Sequence, residues 1–371
     1  MLAAGSKSLC KAAALAPLAL LFAVRIAWSQ GSPAPPKTAA QQFKNIQVLK
    51  DIPADQLIPT MQFIAGSLGV DCQFCHVEHA MDKDEKEEKK TARKMMVMEL
   101  ALNKNHFNNE VEVTCYSCHR GSLSPVGTPV LSTEPAKAPL HERHETIDAT
   151  RLPAAADILD NYLAAVGGAK ALHKITTRSQ IGTIDAMGEQ YPVEIYSEAP
   201  EKRVSVSHPS FGESVTAYNG QVGWLASPRG SHPMSAAEAA AARIDAQLYF
   251  PARIRELYQE FKVQPGEIVD GHATYLVHAQ GHDMPPLRLY FDQQTGLLLR
   301  LIRYAQTPLG RNPTQIDYFD YREIDDIKVP YKWMLTRTSG TFTVRISSIQ
   351  QNVPINEKLF TMPPAAPAPQ H

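Results

Sequence analysis

Two copies of the pentapeptide Cys-x-x-Cys-His constrain this chain more than any other feature of its sequence. They occupy residues 72–76 and 115–119. This pentapeptide is the attachment signature of c-type haem, because it places two thioether sulfurs at the porphyrin edge and an imidazole beneath the iron. The sequence therefore predicts two covalently bound haem c groups. Their thioethers would be made by Cys72, Cys75, Cys115 and Cys118, and their irons bound by His76 and His119.

The cysteine count agrees with this interpretation. The chain has five cysteines, and four of them lie inside the two pentapeptides. The fifth, Cys10, follows residues that lack the small side chains of a lipid-attachment site. A zinc site built from two Cys-x-x-Cys pairs is one alternative, and disulfide pairing is the other. Neither alternative explains why a histidine directly follows both pairs.

The N-terminus resembles an export signal. Residues 1–29 combine early positive charges, an apolar stretch and a small-x-small cleavage site before Gln30. We therefore expect a periplasmic or exported protein, with an uncleaved membrane anchor or another membrane association as the alternative. The apolar stretch is shorter than the ~20 residues needed to span a bilayer. A net charge of −1 over 371 residues does not indicate nucleic-acid binding.

Proline-rich stretches divide the rest of the chain. Residues 30–40 read as a flexible lead-in, residues 126–150 as a linker and residues 366–371 as a tail. Between them we expect two domains. Residues 41–125 would form a mainly α-helical dihaem cytochrome c domain, and residues 151–365 an α+β antiparallel half-barrel.

Each pentapeptide follows an apolar helical pattern that contains methionine. The pattern at residues 57–68 includes Met61, eleven residues before the first pentapeptide. The second helix becomes apolar at Met95 and also carries Met96 and Met98. From the residues alone, Met61 is either a distal iron ligand or a core side chain, and three methionines compete for the second iron.

This succession of methionine helix and haem motif resembles the cytochrome c subunit of photosynthetic reaction centres. The similar segments are residues 55–63, 72–76, 93–95 and 113–121. In that family a methionine on the preceding helix is the sixth iron ligand. The resemblance implies Met61 opposite His76. For the iron at His119 it implies Met95, with Met98 as the alternative. The well-known subunit carries four haems, whereas this chain has attachment sites for two.

Histidine–methionine ligation at both irons predicts closed sites, which favour electron transfer over peroxide chemistry. We therefore expect an electron carrier rather than an enzyme. Its partners would be redox proteins, including a photosynthetic reaction centre or another membrane electron-transfer complex. One alternative is a dihaem peroxidase, which requires an open iron. Another is a lipid- or partner-binding half-barrel protein with accessory haems.

The C-terminal part reads as antiparallel strands with interposed helices. We predict helices at 153–166 and 235–258, the second interrupted at Pro251. The predicted strands are 178–184, 191–197, 203–208, 214–218, 221–226, 274–279, 287–292, 297–304, 314–321, 331–338 and 342–350. The pattern resembles the half-barrel of lipoprotein-carrier proteins of the bacterial envelope, on residues 287–303, 317–330 and 352–360. That resemblance implies a concavity for an acyl chain, and the alternative is a structural or partner-binding module.

Overall fold

The computed structural model describes residues 37–125 and 152–363, except positions 187 and 339. The predicted signal peptide, linker and tail lie outside the described residues. The last residues of the predicted lead-in, from position 37, belong to the described residues, and a short helix begins there at Ala39. This helix is tied down by the amide of Ala39, which donates to the carbonyl of Ile52 at 2.8 Å.

Short helices and one long helix make up the regular structure of residues 37–125. The helices are α1 (Ala39–Gln42), α2 (Leu57–Leu68), α3 (Cys72–Cys75), α4 (Glu87–His106) and α5 (Cys115–His119). A 3₁₀ turn at Ala54–Gln56 leads into α2. Irregular segments join these helices. The prediction that residues 41–125 form a separate, mainly α-helical domain is therefore not confirmed and stays a prediction. No helix in the described residues is long and apolar enough to cross a membrane.

Four helices and thirteen strands occupy the described part of residues 152–363. The helices are α6 (Ala155–Ala165), α7 (Gly168–Leu172), α8 (Ala236–Asp245) and α9 (Phe250–Leu257). The first strands are β1 (Thr177–Ala186), β2 (Glu189–Glu198), β3 (Lys202–Ser207), β4 (Ser214–Asn219), β5 (Gly223–Ser227) and β6 (Gly230–Pro233). The others are β7 (Glu260–Val269), β8 (His272–Gln280), β9 (Leu287–Asp292), β10 (Leu298–Thr307), β11 (Gly310–Ile324), β12 (Ile327–Arg337) and β13 (Gly340–Gln351).

The strands form one open antiparallel sheet. Its order is β6-β5-β4-β3-β2-β1-β13-β12-β11-β10-β9-β8-β7. Every pair of hydrogen-bonded strands except β1 with β13 consists of neighbours in sequence, as expected for a succession of hairpins. The neighbours β6 and β7 do not pair, because they form the two edges of the sheet. The prediction of an antiparallel sheet with interposed helices is therefore confirmed.

Two strands, one short helix and one helix boundary differ from the sequence-based prediction. The short helix α7 was not predicted. The short strand β6 and the strand β7 were not predicted. Strand β7 contains Pro265, and its register with β8 shifts between Pro265 and Ile268, so its pattern is broken by a bulge. The predicted helix at 235–258 is two helices, and Pro251 lies in the first turn of α9, where its missing N–H costs no hydrogen bond.

The main hydrophobic core lies between the sheet and the helices α6 to α9. It includes Ile158, Leu159, Tyr162, Ile254, Val277, Leu289, Phe291 and Ile316. Contacts of Tyr162 with Phe291 bring α6 onto strand β9, with ring centroids 5.1 Å apart. This packing holds the helices on one face of the sheet.

A second hydrophobic cluster joins α2, α4 and the second haem motif to the turn between β10 and β11. Its buried members include Leu57, Phe63, Met96 and Leu309, and Cys115 packs against it. Gly310 in this turn has a φ of +147°, and a Cβ there would lie 2.4 Å from the ring of Phe63. The turn therefore approaches α2 closely.

Candidate haem-binding sites

The first pentapeptide forms the one-turn helix α3. The Asp71 side chain caps it by accepting a hydrogen bond from the amide of Phe74 at 3.0 Å. His76 follows the last turn, and its Nδ1 lies 2.8 Å from the carbonyl oxygen of Met81. Because a carbonyl can only accept, Nδ1 is the protonated nitrogen and Nε2 is free to bind a metal.

The second pentapeptide repeats this arrangement in α5. The Thr114 amide donates to the Oγ of Ser117 at 3.1 Å, and this bond starts the helix. Nδ1 of His119 lies 3.0 Å from the carbonyl oxygen of Ser122. In both histidines Nδ1 therefore faces a backbone carbonyl, which leaves Nε2 available as a ligand.

An apolar cavity brings the predicted ligands of the first motif together. The cavity measures about 840 Å³ including its open mouth. Its lining includes Met61, Cys72, Cys75, His76, Ile64, Leu68 and Met96. Two thiols, an imidazole, a thioether and an apolar wall are the donors and surroundings that a covalently attached haem needs. These residues fit that group.

A charged network at the wall of the cavity supports the first motif. The ammonium of Lys89 donates to the carbonyl oxygen of Met81 at 2.8 Å, and that same oxygen faces His76. Asp84 forms ion pairs with Lys89 at 3.2 Å and with Arg93 at 2.9 Å. The nearby Arg93 guanidinium holds the pKa of the Asp84 carboxyl below its usual range. The network fixes the carbonyl that orients the histidine.

The three methionines of α4 differ in their surroundings. Met96 is buried and lines the cavity of the first motif. Met95 and Met98 are 40% and 56% exposed, and with Leu102 they share one face of the helix. Tyr116 of α5 is exposed as well. Neither Met95 nor Met98 lines the cavity of the first motif.

Helix α4 and the second pentapeptide meet at Glu99, a residue that was not predicted from the sequence. Its Oε2 accepts a hydrogen bond from Sγ of Cys115 at 2.8 Å, whereas Oε1 is buried without a hydrogen-bond partner. Burial raises the pKa of the Glu99 carboxyl. Burial, and after it the contact with Glu99, raises the pKa of the Cys115 thiol. A carboxylate inside the apolar stretch of α4 was the only sequence signal for this contact.

The two motifs approach each other through a pair of glycines. Gly69 ends α2 in the left-handed conformation with a φ of +68°, as required by a helix C-terminus of this kind. The amide of Gly121 donates to the carbonyl of Ser67 at 2.9 Å. The segment after α5 therefore lies against the end of α2, just before the first motif.

The zinc and disulfide alternatives receive no support from this geometry. All four cysteines of the motifs are free thiols, Cys72 and Cys118 being exposed. Within the described residues, which include every cysteine and histidine of both motifs, no group of three or more His, Cys, Asp or Glu could hold a metal ion. The thiols are arranged as two separate pairs.

Comparison with solved structures concerns mainly the sheet. The chain is similar to a putative outer membrane lipoprotein-sorting protein domain from Vibrio parahaemolyticus, with a TM-score of 0.40, 11% identity and coverage of 55% of this chain and 94% of that chain. It is also similar to a LolA superfamily protein from Nitrosomonas europaea, with a TM-score of 0.39, 14% identity and coverage of 57% and 98%.

Comparison with sequences concerns the haem motifs. Residues 26–175 match the family model described as photosynthetic reaction centre cytochrome C subunit. The chain is 33% identical over 91 residues to such a subunit from Thermochromatium tepidum, covering 24% of this chain and 22% of that protein. It is 36% identical over 95 residues to the subunit from Roseobacter denitrificans, covering 22% and 25%. The chain thus spans about a quarter of the length of these relatives. The predicted resemblance of the region around the two haem motifs to reaction-centre cytochrome c subunits is confirmed.

Proposed function

We propose that this protein is a dihaem c-type cytochrome that carries electrons outside the cytoplasm. The observation that carries the proposal is the first cavity, which Met61, His76 and both cysteines of the first motif line together. A c-type haem, when bound, supplies an iron that gains or loses one electron. The similarity to reaction-centre cytochrome subunits supports a cytochrome electron carrier rather than an enzyme.

The protein's own residues would set the properties of the first site. Cys72 and Cys75 would fix the porphyrin edge, and His76 would bind the iron through Nε2 while the Met81 carbonyl holds its Nδ1. Met61, on the rigid helix α2, would close the other side of the iron. Thioether ligation and the apolar wall both favour the reduced state, and a closed iron excludes peroxide and oxygen.

The second site would follow the same scheme. Cys115 and Cys118 would hold the second haem, with His119 as one axial ligand and Met95 as the other. Met98 is the alternative to Met95, because both methionines lie on the exposed face of α4. The approach of Gly69 and Gly121 supports placing the two haems close enough for electrons to pass between them.

We also propose a domain organisation, a cellular location and a class of partners for this protein. Residues 41–125 would be the cytochrome domain, and residues 151–365 a second domain built on the open sheet. We place the protein in the periplasm, in line with the sequence pattern of residues 1–29. Its partners would be redox proteins, among them a photosynthetic reaction centre or another membrane electron-transfer complex.

Carbon monoxide binding to the reduced protein tests the closed first site. Met61→Ala should bind one carbon monoxide per chain, because the substitution removes a ligand and leaves the iron open. Met81→Ala is the matched control, since Met81 lines the same cavity but is half exposed. It should behave like the wild type and bind none. If Met61→Ala binds no carbon monoxide, Met61 is not an iron ligand. Rapid peroxide turnover by the wild type would favour the peroxidase alternative.

A further inference from the structure

Helix α2 has two faces with different neighbours. One face lines the cavity of the first motif and carries Met61, Ile64 and Leu68. Phe63 lies two residues from Met61, which on a helix of 3.6 residues per turn is about 200° around the axis. Phe63 is buried on this opposite face, against the turn between β10 and β11. The helix that carries the predicted iron ligand therefore stands between the cavity and the sheet.

The turn between β10 and β11 is braced by its own hydrogen bonds. It consists of Pro308 and Leu309, because Thr307 pairs with Gly310 across it. Oγ1 of Thr307 donates to the carbonyl oxygen of Gly310 at 2.7 Å, and the amide of Leu309 donates to the same Oγ1 at 3.3 Å. Both bonds are buried, and the ring of Pro308 fixes one backbone angle of the turn. The turn therefore has little freedom to yield when α2 presses on it.

Leu309 is placed unusually for the tip of a hairpin. Loops normally lie at the surface, yet Leu309 is 0% exposed. It packs in the second hydrophobic cluster with Leu57, Phe63 and Met96, and not in the main core beneath the sheet. Met61 packs against the same cluster. The sheet therefore contributes a side chain to the hydrophobic cluster beside the first haem cavity.

Two glycines allow the sheet to approach this face of α2 closely. A Cβ at Gly310 would collide with the ring of Phe63. Gly66 lies three residues after Phe63, on the same side of the helix, and a Cβ there would lie 2.8 Å from Cβ of Thr338, between β12 and β13. Oγ1 of Thr338 donates to the side chain of Asn312 on β11 at 3.1 Å. Two linked turns of the sheet thus contact the helix behind its cavity face.

We propose that the turn between β10 and β11 positions the distal ligand of the first haem, with Leu309 and Gly310 as positioning residues. The inference rests on the proposed function, in which Met61 binds the iron. The turn blocks α2 from moving away from the cavity and withdrawing the Met61 sulfur. A metal ligand needs such support to keep its distance from the metal fixed. The sheet would thus keep the first iron closed, although none of its described residues lines the cavity.

Cyanide binding to the oxidised full-length protein measures how often a methionine ligand leaves its iron. Cyanide competes with the thioether, so its rate of binding is proportional to the fraction of molecules with a detached ligand. Gly310→Ala should raise this rate at the first haem at least about tenfold, because overpacking against the buried Phe63 displaces α2. It should also weaken the absorption band of the oxidised haem that depends on the sulfur–iron bond.

Gly340→Ala is the matched control. Gly340 begins β13 as Gly310 begins β11, and its φ of +142° is close to the +147° of Gly310. A Cβ at Gly340 would meet no atom within 4 Å. Both variants therefore carry the same backbone strain, and only Gly310→Ala adds a contact with α2. Gly340→Ala should bind cyanide within about twofold of the wild-type rate.

Leu309→Ala separates positioning of the ligand from general support of the fold. It removes a buried contact behind α2, and it should accelerate cyanide binding at the first haem at least about tenfold. Combined with Met61→Ala, it should bind cyanide at the rate of Met61→Ala alone, because no ligand is left for the turn to position. A purely structural role would lower stability in urea and leave the cyanide rates unchanged.

The outcomes distinguish this inference from the proposed function. If Gly310→Ala and Leu309→Ala bind cyanide as slowly as Gly340→Ala, while Met61→Ala binds it fast, the turn does not position the ligand and Met61 is still a ligand. If Met61→Ala keeps the full sulfur–iron band of the wild type, or the chain holds no covalent haem, the proposed ligation and this inference are both refuted.

Discussion

The contact between the two haem motifs predicts a large effect of Gly69→Ala. A Cβ at position 69 would lie 2.3 Å from the carbonyl oxygen of Gly121, which is backbone and cannot rotate away. The substitution would also place a side chain at a φ of +68°, where an L-residue costs about 1–2 kcal/mol. Overpacking adds about 1–3 kcal/mol. We expect a loss of about 2–5 kcal/mol in the free energy of unfolding.

Gly121→Ala is the matched control for this prediction. Gly121 has a φ of +81°, but a Cβ there would meet no atom within 4 Å. It should therefore lose only the conformational contribution of about 1–2 kcal/mol. Urea unfolding of both variants, followed by far-ultraviolet circular dichroism and by haem absorbance, measures the difference. Equal losses in the two variants would refute the close approach of the motifs.

Two further substitutions test the surroundings of the motifs. Asn103→Ala should lower the free energy of unfolding by about 2–3 kcal/mol, because the buried Asn103 side chain forms hydrogen bonds with both the amide and the carbonyl of Val113. Asn105→Ala, at an exposed position of the same helix, should change it by less than about 0.5 kcal/mol. Urea unfolding measures both variants, and equal effects would contradict the contact. Asp84→Asn should destabilise the protein at neutral pH, because the Asp84 pKa is lowered in the folded state. Such a carboxyl stabilises the fold above its usual pKa of about 3.9 and loses that effect as the pH falls, so the difference from wild type should shrink in acid. A difference that does not change with pH would be inconsistent with the ion pairs.

Local sequence patterns predicted much of the regular structure. The apolar spacing of residues 57–68 predicted α2, and alternating residues predicted most strands of the sheet. These features depend on neighbours in sequence, so a pattern of period 3.6 or 2 reveals them. Strand β7 was missed because Pro265 interrupts its alternation, and the pairing with β8 restores the strand across a bulge.

Contacts between distant residues were not visible in the sequence. Lys89 is a charged residue among other charged residues at the start of α4, yet its side chain is largely buried and supports the carbonyl next to His76. Arg178 and Arg203 lie on two separate predicted strands, and only the arrangement of the strands brings both to one cavity. The candidate haem residues follow from the sequence because c-type attachment requires a fixed local spacing, whereas contacts between distant residues follow no such spacing.

The covalent haem content of the purified protein tests the central claim most directly. The protein would be produced together with a cytochrome c maturation system, and a pyridine haemochrome assay would be combined with its intact mass. The account predicts two covalently attached haems per chain, lost one at a time when the cysteine pair of either motif is replaced by alanine. A chain without covalent haem, or one that contains zinc instead, would contradict it.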